Sequence, residues 1–191
     1  MIEKVLFDKG LSFKDYIEKM SDLKYITEEI YSKLVIDDDI KKEIRKRIEK
    51  YGTMNVLCVT EPFCGDSACN LPIVKKIFEE ENVNLRIFIR SLNSYLEEKL
   101  YSRGIKKIPV FIFYDSEFRE ISIWIERPKK AYELIDKWKS EHPEYEKLKN
   151  SEDKRDKEKL NRLYRELVNY MKENYISFLW KDTALEILHL I

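Results

Sequence analysis

The stretch 61–72, Glu-Pro-Phe-Cys-Gly-Asp-Ser-Ala-Cys-Asn-Leu-Pro, constrains this chain more than any other. The apolar run 56–59 leads into it and a helical pattern over 73–80 follows, so Cys64 falls where a strand ends and a helix begins. The first amides of a helix have no partner within it and the helix dipole is positive there, which favours a thiolate over a thiol. Phe63 before the cysteine and Gly65 after it suit a thiol that another molecule must reach. The stretch therefore reads as a redox or nucleophilic cysteine.

Around it, apolar runs alternate with helical periodicity. Strands are expected over 55–60, 85–90, 109–114 and 118–125, with a turn at 115–117. Helices are expected over 65–81 and 92–103, the second ended by Gly104, and a further helix opens at Pro128. The order β-α-β-α-β-β-α implies an α/β fold, a mixed sheet of about four strands flanked by helices and built from right-handed crossovers. Residues 1–52 form a helical N-terminal extension in this reading. Ser12 and Asp15 resemble a capping box ahead of the stripe Phe13, Tyr16, Ile17 and Met20, and Thr27 is placed to cap a second helix running through Ile30 and Leu34. Behind Asp37 and Asp39, the fourfold spacing of Ile40, Ile44 and Ile48 marks a surface helix with one buried stripe, stopped near Gly52.

The α/β unit is expected over 53–140 and a third segment over 141–191. Charges of both signs interleave through 141–162, which reads as a solvated helix or a hinge. Amphipathicity returns at Leu163, Leu167, Tyr170 and Met171. The apolar tail 184–191 is expected to dock back on the chain or, as a homodimer, against a second copy.

Composition narrows the classes. Of the 191 residues, 43% are hydrophobic and 13% aromatic, enough for a real core. Lys plus Arg and Asp plus Glu both number 36, and a net charge of zero argues against nucleic acid or an anionic membrane as partner. No apolar run reaches the ~20 residues of a membrane span, and the N-terminus does not read as a signal peptide. Three cysteines, an odd number, make no disulfide framework, so a reducing cytoplasmic setting is expected. His142 and His189 lie far apart, the cysteine spacing matches no zinc pattern and no glycine-rich phosphate loop occurs, so neither metal nor cofactor is expected.

The segment 63–67, Phe-Cys-Gly-Asp-Ser, resembles the Trp-Cys-Gly-Pro-Cys site of the thioredoxin superfamily, and more closely a bacterial thioredoxin-like branch with Trp-Cys-Gly-Asp. Pro72, eight residues after Cys64, matches the proline that bends the family's first active-site helix. Ile108-Pro109 falls 45 residues after Cys64 (counted to the proline), where the family has a cis-proline opposite the thiol. Trp124 to Pro128 is similar to that branch's Trp-Gly-Pro-Arg-Pro, with Ile125 and Glu126 departing from it. The similarity covers about residues 50–140.

The resemblance implies a thioredoxin-like fold with helical extensions at both ends, and thiol–disulfide oxidoreductase chemistry with Cys64 as nucleophile. Phe63, Gly65, Asp66, Ile108, Pro109 and Arg127 would form the substrate side. Its partners would be a disulfide-bearing protein or a small thiol, with an external thiol as reductant. Ser67 stands where the family has its resolving cysteine, so the site looks monothiol, with the Ser67 hydroxyl hydrogen-bonding the thiolate. Cys69 is the alternative second thiol. On a regular helix it points about 140° away from Cys64, so pairing would unwind the helix start, and a half-buried thiol is the other reading. Cys58 takes the place of a buried aspartate and reads as a core cysteine. Asp66, in place of the family's proline, suits the helix dipole but opposes a thiolate nearby. Arg127 is placed to pair with Asp66, with the thiolate, or with a small thiol's carboxylate. Two other readings stand beside this one: a redox-inactive binding or assembly module, and a small-thiol-dependent thiol transferase.

Overall fold

The computed structural model describes residues 4–191. Strand β1 (Met54–Thr60) is buried at every residue because it lies inside the sheet with helices on both faces. It runs parallel to β2 (Val83–Ile89) and antiparallel to β3 (Val110–Tyr114), which pairs with β4 (Glu120–Ile125), so the order is β2-β1-β3-β4. The twofold side-chain period of β1 divides the core. Val56 and Cys58 join one apolar cluster, Leu57 and Val59 the other.

The smaller cluster lies under α1 (Lys4–Phe7) and α6 (Ser94–Ser102). The larger one is covered by α3 (Lys24–Lys33), α4 (Asp38–Glu49), α5 (Gly65–Ile77), α7 (Lys129–Glu141), α8 (Glu144–Leu148), α9 (Lys154–Asn174) and α10 (Trp180–Leu190). That cluster runs from Tyr16 in α2 (Phe13–Ile17) to Ile191, so one core draws on all three segments of the chain. Among the described residues no helix is long and apolar enough to cross a membrane.

Several local expectations need correction. Ser12 does cap α2, accepting from the Asp15 amide at 3.1 Å. Thr27 is not a cap: α3 begins three residues earlier and Thr27 is fully buried. Its hydroxyl donates to the Ala68 carbonyl at 3.1 Å. Pro72, inside α5, has no N–H to give that same carbonyl, so Thr27 supplies the missing bond from another helix. Helix α5 ends at Ile77 rather than 81, and β2 begins two residues earlier than expected. A short 3₁₀ turn, Arg90–Leu92, precedes α6. Strand β4 starts at Glu120 rather than 118, because Phe118 adopts φ 60° in the turn.

The charged stretch 141–162 is neither wholly solvated nor a hinge: α8 buries Tyr145 and Leu148, and Asp153 caps α9 by accepting from the Arg155 amide at 2.7 Å. The apolar tail docks on its own chain. Ala184, Ile187, Leu188 and Ile191 are buried, and Lys50 and Tyr51 donate to the Ile191 carbonyl oxygen.

One buried amide side chain ties the layers together. Asn70 Nδ2 donates to the Asp66 carbonyl at 3.0 Å and the Tyr175 hydroxyl at 2.9 Å, and its Oδ1 accepts from Thr183 at 2.9 Å. Tyr175 lies in a π-helical turn, Tyr175–Leu179, that joins α9 to α10. Removing the amide strands two buried hydroxyls, so Asn70→Ala is expected to lower unfolding free energy by roughly 2–4 kcal/mol with an unchanged m-value, measured by urea titration.

Candidate active site

The loop from β1 into α5 is pinned before it reaches Cys64. The buried Glu61 carboxylate accepts from the Ser91 amide at 2.7 Å and the Ser91 hydroxyl at 3.1 Å, and the Glu61 carbonyl accepts from Tyr16 at 3.0 Å and from the Cys64 amide at 3.1 Å. Cys64 is then the N-cap residue of α5, with extended backbone angles. Its thiol donates to the Ile108 carbonyl at 3.7 Å, and the Ile108–Pro109 peptide bond beside it is cis. Phe63, at 71% exposure, stands out into solvent at this edge.

The first helical amide is already engaged. Gly65 N–H donates to the Tyr164 hydroxyl of α9 at 2.8 Å, and Tyr164 in turn donates to the Phe63 carbonyl at 3.2 Å. Only glycine permits this approach. A Cβ on residue 65 would meet Val168 at 2.8 Å and the Tyr164 oxygen at 2.9 Å, both inside ordinary contact.

Asp66 follows and pairs with Arg127 at 2.5 Å. Arg127 also reaches Glu126 at 3.0 Å, and Lys107 closes the chain of charges on Glu126 at 2.5 Å. Glu126 holds φ 67°, a left-handed conformation costly for a residue with a Cβ. Its carboxyl stays below the usual range although burial opposes this, because Lys107 and the Tyr132 hydroxyl bond it. Burial pushes the Asp66 carboxyl up to about 6, against the pull of Arg127.

The structure thus gathers Phe63, Cys64, Gly65, Asp66, Ile108 and Pro109 at one edge, with Arg127 joined through Asp66. The other two cysteines stay away from that edge. Cys58 is fully buried and Cys69, expected half-buried, is 1% exposed; all three thiols are free. Burial raises the pKa of both buried thiols well above the ordinary range. Ser67 is buried, and its hydroxyl shares a hydrogen bond with Thr60.

The helix start does not acidify Cys64 in this arrangement. Burial, followed by the charge of Asp66, raises the thiol pKa, outweighing the Ser67 hydroxyl and the amides of Ser67 and Asp66, which act the other way. Tyr164 was missed by the stripe drawn through 163, 167, 170 and 171. A neighbouring stripe carries it: Tyr164, Val168, Met171 and Tyr175, at intervals of four, three and four, a second helical face turned toward α5.

Asp66 generates two linked expectations. In Asp66→Asn the opposing charge is gone, so alkylation of Cys64 at pH 7 should rise roughly three- to tenfold, read by peptide mass spectrometry. A carboxyl whose folded pKa is raised stabilises the fold most when protonated. Its contribution is complete below 3.8, the ordinary value of an aspartate, and lost as the pH rises through about 6. Urea midpoints of wild type relative to Asp66→Asn should therefore fall across that window and level off above it.

The sequence profile of the family described as Thioredoxin matches residues 10–139, which takes in α2 to α4 ahead of the sheet and leaves out α1 and α8 to α10. Among solved structures the chain is similar to a protein of unknown function from Pseudomonas aeruginosa, with TM-score 0.65, 17% identity and 100% coverage of both chains. It is also similar to an HIV epitope-scaffold, with TM-score 0.59 and 16% identity, covering 95% of this chain and 97% of that one. At these identities the two structures bear on the fold alone. No curated protein matches the sequence. With the profile spanning the whole sheet, α5 and the Cys64 edge, the chain belongs to the thioredoxin family.

Proposed function

We propose that this chain is a single-cysteine thiol–disulfide exchange protein. What carries the reading is the isolation of Cys64: a partly exposed thiol at the helix-start edge beside Ile108 and Pro109, with both other thiols buried away from it. The Cys64 thiolate attacks one sulfur of a disulfide, the other sulfur leaves as a thiolate, and a mixed disulfide remains. With serine at position 67, no second thiol of the chain is poised to attack that bond. Two external thiols complete the cycle. The first takes the partner's place on Cys64, and the second releases Cys64 as the free thiol while the two external sulfurs become a disulfide. Because burial and Asp66 disfavour the thiolate, attack is slow at neutral pH and accelerates as the pH rises.

A second reading, a binding module without turnover, is favoured by one observation: the Gly65 amide, which would otherwise face an incoming thiolate, is spent on Tyr164.

The two readings separate in one assay. The full chain is mixed with a disulfide-linked peptide at pH 8.5 and quenched with acid. The exchange reading expects a mixed disulfide at Cys64 that persists until a small thiol such as glutathione is added, is unaffected by Cys69→Ser and is absent in Cys64→Ser. Absence of any Cys64 adduct, or loss of the peptide half bound to Cys64 without added thiol, contradicts it.

A further inference from the structure

A cleft of about 200 Å³ opens between the first turn of α5, the Arg127 loop and helices α7 to α9, and Cys64 does not line it. Its two ends differ in chemistry. One wall is hydrocarbon, from Ile135, Leu167 and Met171. The other presents the cations Arg127, Lys139 and Lys149 and the phenol of Tyr145, with one carboxylate, Asp66, held by Arg127.

Two donors on the polar side are unspent. Arg127 Nε is buried without a hydrogen-bond partner, although the other end of its guanidinium holds Asp66 and Glu126. The Tyr145 hydroxyl makes no hydrogen bond among the described residues, and its ring is packed edge-on against Trp138. Lys139 and Lys149 both lean on one carboxylate, Glu146, at 2.8 and 2.9 Å. Around the cleft four cations, Arg127, Lys107, Lys139 and Lys149, pair with three carboxylates, Asp66, Glu126 and Glu146, an excess of one positive charge among these described residues in a chain of zero net charge.

A pocket with an apolar wall and a few convergent donors under excess positive charge selects an amphipathic anion. We propose that this cleft binds a small organic carboxylate, its hydrocarbon or aromatic body against Ile135, Leu167 and Met171 and its carboxylate toward Arg127, Lys149 and Tyr145. An inorganic anion leaves the apolar wall uncovered, and a neutral aromatic leaves the donors unpaired. Both are expected to bind worse than a molecule that has the two parts.

The test is a titration of the full chain with sodium benzoate, sodium phosphate and benzyl alcohol at constant ionic strength, followed by backbone amide NMR shifts. Benzoate is expected to give saturable shifts at Gly65, Arg127 and Tyr145. Phosphate and benzyl alcohol should bind at least about tenfold more weakly, losing the apolar or the charged contacts respectively. Lys149 is exposed and Lys139 half-buried, and both pair with the exposed Glu146, so Lys139→Gln with Lys149→Gln should fold normally and weaken benzoate about tenfold. The proposal fails if benzoate gives no saturable shift, if phosphate or benzyl alcohol binds as tightly, or if the double substitution leaves affinity unchanged. The titration involves no thiol chemistry, so its outcome is independent of the reading of Cys64.

Discussion

The burial of α5 on every side is the constraint on which the rest of the structure depends. From Ser67 through Val74 each of its residues is buried, between the sheet on one face and α3, α9 and α10 on the others. A helix enclosed in this way cannot leave polar groups unpaired, and several of its demands are answered from distant segments. Thr27 bonds the carbonyl that Pro72 cannot serve, Tyr175 and Thr183 bond Asn70, and Tyr164 takes the Gly65 amide. The helices after residue 140 are therefore not an appendage to a completed sheet domain. They supply hydrogen-bond partners that α5 needs.

The same enclosure sets the chemistry of Cys64. In an open helix start, free amides and the dipole would draw the thiol toward its thiolate. Here desolvation and the Asp66 carboxylate act in the opposite sense, and Tyr164 holds one of the amides. Asp66 itself is kept in place by Arg127, which also carries Glu126 and so the strained turn after β4. The site is organised as a linked set of charges rather than as an isolated cysteine, and the reactivity of the thiol is governed by that set.

Much of this could be read from the chain. The apolar run of β1, the Cys64 seam and the fourfold spacing of Ile40, Ile44 and Ile48 each carry a local signal. Gly52 and Gly104 also declare themselves, at φ 68° and 74° where helices stop. The pairing of Asp66 with Arg127 is one of three options that the family resemblance leaves open. What could not be read depends on partners far away in sequence. Tyr164 meets Gly65 across 99 residues and Thr183 meets Asn70 across 113, distances over which periodicity carries no information. Thr27 looked like a cap because threonine favours caps, and a tertiary bond to Ala68 overrode that preference. The charged stretch 141–162 concealed Tyr145 and Leu148 because two buried residues among so many charges leave no periodic trace.

Helix α9 closes the start of α5 through Tyr164, whose hydroxyl accepts from the Gly65 amide. Amide hydrogen exchange at Gly65, followed by NMR in the wild type and in Tyr164→Phe, tests it most directly. The expected result is a Gly65 amide protected in the wild type and exchanging about ten- to a hundredfold faster in Tyr164→Phe, with the amides of β1 unchanged between the two. A Gly65 amide that exchanges equally fast in both proteins would contradict it, and Cys64 would then sit at an open helix start.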